Sequence, residues 1–258
     1  MFIEINGHLL NVVSFGAGTP NFLAVGGWVG SWEVWQQPIE LLSKRWRCAS
    51  YDHRGAGVSA VRAEDISPEG LVEDVFGVMD ALEIDRCILA GESLGAVAVL
   101  EAAAQSPERF LGIVLVDGAP AVHEPSVRAL IDGARKNYEA TLSAFVDQCT
   151  PEPNVEHLRL WGRHILRRAT SEAAARIFEC YLERAAPPPK LDRIDMPALV
   201  IHGTADAIVP LSTGEWMVKS LPKANFVKFV GAGHVPTLTR PREVAEAIQH
   251  WFKKYIET

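Results

Sequence analysis

The chain has 258 residues, 48% of them hydrophobic, a length that suits one α/β domain with an insertion. Its formal net charge of −7 disfavours nucleic acid or an anionic membrane as a partner, because both require clustered basic residues. The four cysteines show no Cys-x-x-Cys spacing, which argues against a cysteine metal site and is typical of reduced thiols in the cytoplasm.

The first predicted element is an antiparallel hairpin. Strands are predicted at 2–5 and 8–15, and Asn6-Gly7 between them is a favoured two-residue hairpin turn. The acidic Glu4 stands where a secretory signal would be basic, and no apolar run has the length of a membrane span. We therefore expect structural strands at the start of the chain, no signal peptide and a cytoplasmic protein.

Strands and helices alternate along the following residues. Further strands are predicted at 21–25, 47–51, 86–91, 110–116, 198–203 and 224–230. One intervening helix is expected to open with Ser67 as its cap and Pro68 at the first helical position. This alternation predicts an α/β fold with right-handed crossovers and a mostly parallel, eight-stranded sheet flanked by helices.

The strand pattern stops between residues 119 and 190. Helices are predicted there at 125–149, 155–169 and 172–185, followed by the three prolines of 187–189. We expect this segment to be a helical lid over a core formed by residues 1–118 and 191–258. The candidate apolar linings of the pocket are aromatic: Tyr138, Phe145, Trp161, Phe178 and Tyr181.

Residues 91–95 read Gly-Glu-Ser-Leu-Gly and lie between a predicted strand and a predicted helix. In a Gly-x-Ser-x-Gly turn the serine occupies a strained bend, and the flanking glycines leave room where a Cβ would collide. The bend would place Ser93 at a helix N-terminus, where the Leu94 backbone N–H can stabilise an oxyanion. A Gly-Ser turn without function is the alternative for this motif taken alone.

Two later loops supply partners for the serine. Asp206 follows the strand predicted at 198–203, and His234 ends the Gly-Ala-Gly-His loop of residues 231–234. The chain order serine, aspartate, histidine is the order of α/β-hydrolase triads. Asp117, at the end of the strand after the elbow, is the alternative triad acid.

On these motifs the chain resembles the α/β-hydrolase family over nearly its whole length. Residues 52–59 are similar to the family's Asp-x-Arg-Gly-x-Gly-x-Ser turn, and residues 22–28 look like its third strand and oxyanion loop. The resemblance implies that the Trp28 backbone N–H is the second oxyanion donor. Many members have His-Gly where this chain has Gly26-Gly27.

The resemblance implies a serine esterase or lactonase that needs no cofactor or metal. His234 would take the proton of Ser93 and return it to the leaving alcohol, while Asp206 orients the imidazole. Haloalkane dehalogenases and epoxide hydrolases carry aspartate at the position of Ser93, so those chemistries are disfavoured. Perhydrolases typically place a proline where this chain has Val29.

Two alternatives share these features. Carbon–carbon bond hydrolases of ring-cleavage products have the same triad and lid, and a slow-turnover ligand sensor would keep both while signalling through the lid. The expected partner is a small-molecule ester or lactone. The sequence leaves open the acyl chain length, the preference between esters and lactones, the stereoselectivity, the role of Glu92 and whether the chain forms a homodimer.

Overall fold

The computed structural model describes residues 1–59, 61–184 and 187–257, and one eight-stranded sheet organises them. The strands are β1 (Phe2–Ile5), β2 (His8–Phe15), β3 (Asn21–Val25), β4 (Arg47–Tyr51), β5 (Cys87–Glu92), β6 (Phe110–Val116), β7 (Ala198–Gly203) and β8 (Ala224–Phe229). Their order is β1-β2-β4-β3-β5-β6-β7-β8. The pairings of β2 with β1 and with β4 are antiparallel, and the other pairings are parallel. Each predicted strand lies within one residue of its predicted bounds, and the predicted fold class is confirmed.

Helices cover the sheet and fill the insertion. They are α1 (Gln36–Leu42), α2 (Pro68–Ala81), α3 (Gly95–Gln105), α4 (Glu124–Cys149), α5 (Glu156–Leu166), α6 (Ser171–Glu183), α7 (Leu211–Ser220), α8 (Pro236–Thr239) and α9 (Pro241–Tyr255). The α2 cap is as expected, because Ser67 Oγ accepts the Gly70 N–H at 3.1 Å. Over the ranges described, none of these helices combines the length and the apolarity that crossing a bilayer requires.

Both faces of the sheet are buried, which explains why its central strands are almost continuously apolar. Successive residues of β3 point to opposite sides. Leu23 belongs to a core with residues of α2, α3 and α7, whereas Phe22 belongs to a core with residues of α1 and α9. The sheet therefore holds its carboxyl edge rigidly between two helical layers.

Helices α4, α5 and α6 lie within residues 119–190, the range expected to form the lid. Residue 185, the predicted end of the last lid helix, and residue 186 lie outside the described residues. Helix α4 is interrupted at Asn137, whose φ of −160° and ψ of 87° are not helical. A third apolar cluster packs residues of α4 and α6, such as Ile131 and Phe178, against Trp28 and Leu94, so these helices lie over the edge of the sheet that carries Ser93.

Candidate active site

The turn after β5 holds Ser93 in a strained conformation. Its φ is +51°, in the left-handed region that residues with a Cβ rarely adopt. A Cβ at Gly91 would lie 2.5 Å from the Gly95 carbonyl group, and one at Gly95 would lie 2.7 Å from the Val25 carbonyl oxygen. Both glycines are therefore sterically required for this bend, as the motif predicts.

Three side chains from separate loops form a hydrogen-bonded chain. Nε2 of His234 lies 2.8 Å from Oγ of Ser93, and Nδ1 lies 2.8 Å from Oδ2 of Asp206. The other oxygen of Asp206 accepts the N–H groups of Ile208 and Val209 at 2.8 and 3.0 Å, which fixes the carboxylate. Because that carboxylate only accepts, Nδ1 carries the imidazole proton and Nε2 is free to accept the serine hydroxyl proton.

The opposite charges of Asp206 and His234 stabilise each other. Burial alone would raise the pKa of Asp206, but the positive charge of His234 and hydrogen bonds from His202, His234 and the Val209 N–H hold that pKa below its usual range. Burial alone would lower the pKa of His234, but the charge and hydrogen bond of Asp206, together with the charge of Glu92, raise it above the usual histidine value. The aspartate is therefore ionised and favours the imidazolium form.

The structure does not bring Asp117, the alternative triad acid, to His234. Its Oδ1 accepts the Gly203 N–H at 2.7 Å, and its Oδ2 is buried with no hydrogen-bond partner among the described residues. Burial, and then the charge of Asp206, raise the pKa of Asp117 well above its usual range. Burial therefore favours the neutral form of this carboxyl group.

In the part of the chain that the structure describes, one group of side chains could hold a metal ion. Potential ligand atoms of Asp117, His202 and Asp206 lie within 4.8 Å of one another. All three side chains already have protein partners. Oδ1 of Asp117 accepts the Gly203 N–H, Oδ2 of Asp206 contacts His234, and Nε2 of His202 lies 2.9 Å from the Val209 carbonyl oxygen. A cation would have to compete with those contacts.

The loop after β3 closes tightly beside the elbow. The Gly30 N–H donates to the Gly27 carbonyl oxygen at 2.8 Å, and a Cβ at Gly26 would lie 2.4 Å from the Gly30 carbonyl oxygen. With the loop closed in this way, position 26 has no room for a side chain. Within the described residues, the backbone N–H groups of Trp28 and Leu94 donate to no protein acceptor, so both are available to a ligand.

The lid is fastened to two of these loops. Nε1 of Trp28 donates to the Ala174 carbonyl oxygen at 2.8 Å, and the indole stacks on Phe178 with 5.7 Å between ring centroids. On the other side, the His234 N–H donates to the Cys149 carbonyl oxygen at 2.8 Å. The segment that contains α4, α5 and α6 therefore contacts both the loop after β3 and the loop that carries His234. The sequence analysis missed these contacts because they span long sequence separations.

Glu92, whose role the sequence leaves open, is fully buried beside the serine. Its Oε2 accepts the Gly27 N–H at 2.9 Å, and its Oε1 lies 4.0 Å from Nε2 of His234. Burial raises the pKa of Glu92 to about 7, although the charge of His234 and the Gly27 N–H act in the opposite direction. This carboxyl group links the oxyanion loop to the histidine.

Ser93 lies where two cavities meet beneath the lid. Of the five aromatic residues considered as linings, Phe145 and Phe178 line these cavities. Trp161 is instead 38% exposed and stacks on His164. Ser93 is thus a candidate nucleophile. A candidate base, His234, a candidate acid, Asp206, and two free backbone N–H groups lie near it, and the cavities beside it are mostly apolar.

Comparisons with known proteins identify the family of this chain. The sequence model of the Alpha/beta hydrolase family matches residues 22–247. The chain is 28% identical to a pimeloyl-[acyl-carrier protein] methyl ester esterase of Nitrosomonas europaea, over 87% of this chain and 92% of that protein. It is 26% identical to 3-oxoadipate enol-lactonase 1 of Acinetobacter baylyi, over 85% and 84% of the two chains. The crystal structure of an enol-lactonase from Burkholderia xenovorans superposes with a TM-score of 0.90 at 23% identity, covering 98% of this chain and all of the other.

Proposed function

Because this chain belongs to the alpha/beta hydrolase family, we propose that it is a serine hydrolase that cleaves carboxylic ester or lactone bonds of small molecules. Ser93 is the nucleophile, His234 the general base and acid, and Asp206 the triad acid. The observation that carries this proposal is the pair of 2.8 Å contacts that join the three side chains. The similarity to a methyl ester esterase and to an enol-lactonase favours this class of bond.

The first half of the reaction forms an acyl-enzyme. Oγ of Ser93 attacks the carbonyl carbon while its proton moves to Nε2 of His234, and the carbonyl oxygen becomes an oxyanion. The imidazolium then gives this proton to the alkoxide as the carbon–oxygen bond breaks. Asp206 accepts the Nδ1 hydrogen bond throughout and stabilises the positive charge of the imidazolium.

The second half returns the enzyme to its starting state. Water takes the place of the alcohol, loses a proton to His234 and attacks the acyl carbon, after which the carboxylic acid leaves and Ser93 regains its proton. In both halves the backbone N–H groups of Trp28 and Leu94 stabilise the oxyanion. Loss of one such donor costs about 2.7–4 kcal/mol in enzymes where it has been removed.

Hydrolysis rates test this proposal. Wild type and Ser93→Ala would be compared on methyl esters, p-nitrophenyl esters and five- to seven-membered lactones, with Ser220→Ala as a matched control because that serine lies outside both cavities. We expect Ser93→Ala to lower kcat by roughly 10³-fold or more and Ser220→Ala to leave it unchanged. Hydrolysis by Ser93→Ala at the wild-type rate would refute the nucleophile. Wild-type turnover no faster than that of Ser93→Ala on every substrate would favour the slow-turnover sensor or the carbon–carbon hydrolase.

A further inference from the structure

The two cavities at Ser93 differ greatly in size. The larger one has a volume of about 430 Å³ and lies on the side of Leu94, Val127 and Phe178. The smaller one has a volume of about 50 Å³ and lies on the side of Glu92 and His234. Since Ser93 lines both, a carbonyl carbon bound to its Oγ has one substituent in each cavity.

The position of His234 decides which substituent enters the smaller cavity. His234 lines that cavity and does not line the larger one. The leaving oxygen takes its proton from Nε2, so it must come within hydrogen-bond reach of that atom. The alcohol part of the substrate therefore enters the smaller cavity, and the acyl part occupies the larger one.

The smaller cavity has room for only a few heavy atoms, because one water molecule needs about 10–15 Å³ of such volume. Its outer wall consists of lid side chains, among them Val146, Leu158 and Ile165. An ion pair of 2.5 Å between Arg168 of the lid and the buried Glu33 holds this wall against the core. A volume of about 50 Å³ suits a methoxy or ethoxy group.

The larger cavity suits an uncharged chain. Its volume falls in the range of roughly 300–1,000 Å³ that is typical of small-molecule pockets. Among the described residues that line it, the one titratable side chain is the exposed His123, and the remainder are apolar apart from Ser93 and Thr213. A carboxylate deep in this cavity would lose its hydration without gaining a cation as a partner.

We infer that the preferred substrates are acyclic esters that join a neutral, medium-length apolar acyl group to methanol or ethanol. This inference rests on the proposed function and selects among its substrates. Oγ of Ser93 bonds to the acyl carbon, the bond from that carbon to the methoxy oxygen breaks, and the methanol leaves with the proton from His234. Lactones are poorer substrates, because their alcohol stays tethered to the acyl chain and cannot occupy the smaller cavity separately.

A series of esters with one acyl group tests the alcohol preference. Acid release from methyl, ethyl, butyl and benzyl hexanoate would be followed by pH-stat titration, which needs no bulky chromogenic leaving group. One methylene in an apolar pocket changes kcat/KM by about 10–200-fold, so we expect the methyl and ethyl esters to exceed the butyl and benzyl esters by at least tenfold. Equal or higher kcat/KM for the butyl ester would overturn the inference.

Two further substrates test the preference for a neutral, acyclic acyl group. Monomethyl adipate has the same chain length as methyl hexanoate but ends in a carboxylate, and ε-caprolactone has the same number of carbons in a ring. We expect the kcat/KM of each to be at least about tenfold below that of methyl hexanoate. Preference for either one would overturn the corresponding part of the inference.

Leu158→Ala enlarges the smaller cavity and has a matched control. Leu130 is also a half-buried leucine of the lid but lines only the larger cavity. We expect Leu158→Ala to raise the ratio of butyl to methyl ester kcat/KM by at least about fivefold and Leu130→Ala to leave it unchanged. The ratio does not depend on the folded fraction of a variant, so a loss of stability does not mask the result. If neither an ester nor a lactone is hydrolysed faster than by Ser93→Ala, the proposed function itself fails. If hydrolysis occurs without this ester preference, only the inference fails.

Discussion

Oε1 of Glu92 lies 4.0 Å from Nε2 of His234, and Oε2 of the same carboxyl group accepts the Gly27 N–H at 2.9 Å. The residue between Gly91 and Ser93 in the elbow thus contacts the base on one side and the oxyanion loop on the other. Because the Glu92 carboxyl group is buried, its negative charge interacts strongly with His234. We therefore expect Glu92 to act as a positioning residue, because its charge raises the pKa of His234.

Glu92→Gln is expected to shift the pH dependence of catalysis. His234 must be neutral to act as a base, and the charge of Glu92 raises its pKa. Removing that charge while keeping an acceptor for the Gly27 N–H should move the acidic limb of the kcat/KM profile to lower pH. Rates between pH 4.5 and 9 would show this, and superimposable profiles would mean that the carboxylate does not act on His234.

The same variant is expected to change the pH dependence of stability. The folded pKa of about 7 lies above the ordinary value of 4.5, so the contribution of Glu92 to stability is complete below pH 4.5 and is lost as the pH rises through 7. Between pH 5 and 8 the wild type should therefore lose on the order of 1–3 kcal/mol more unfolding free energy than Glu92→Gln does. Urea unfolding of both proteins at the two pH values measures this difference, and an equal decline would contradict the raised pKa.

The two aspartates near His202 are expected to respond differently to the same substitution. Asp206→Asn removes the charge that supports the imidazolium and should lower kcat by about 10³–10⁴-fold. Asp117→Asn alters a carboxyl group that makes no hydrogen bond to His234 and whose neutral form burial favours, so we expect less than a tenfold change. Steady-state rates on one methyl ester compare the two variants directly, and a larger loss in Asp117→Asn would reverse the assignment of the triad acid.

A histidine at position 26 is expected to damage this protein. In Gly26→His the new Cβ would lie 2.4 Å from the Gly30 carbonyl oxygen, so the oxyanion loop must move. Overpacking of this kind costs about 1–3 kcal/mol, and displacement of Trp28 should lower kcat as well. Thermal unfolding and kcat/KM would both be measured; wild-type values for both would show that the loop tolerates the side chain.

Much of this arrangement was predictable from the sequence. The buried strands are apolar runs bounded by turn residues, and Ser93, Asp206 and His234 each follow such a run, so their meeting at one edge of the sheet follows from parallel topology. The break in α4 was missed because the apolar pattern continues across it. A signal was present at Asn137, whose side chain accepts the Ala140 N–H at 3.1 Å, as a helix cap does. The contacts of Glu92 and of the lid could not be predicted, since they depend on tertiary packing between distant segments.

Detection of the acyl-enzyme tests the central role of Ser93 most directly. Wild type would be mixed with a methyl ester, quenched in acid during turnover and digested, and the mass of the peptide that contains Ser93 would be measured. In wild type we expect the mass of this peptide to increase by the mass of one acyl group minus one hydrogen. The acylated fraction should be larger with esters whose acyl group is removed slowly, and Ser93→Ala should show no acylation. Acylation of another residue, or ester hydrolysis by Ser93→Ala at the wild-type rate, would contradict catalysis by the Ser93, His234 and Asp206 triad.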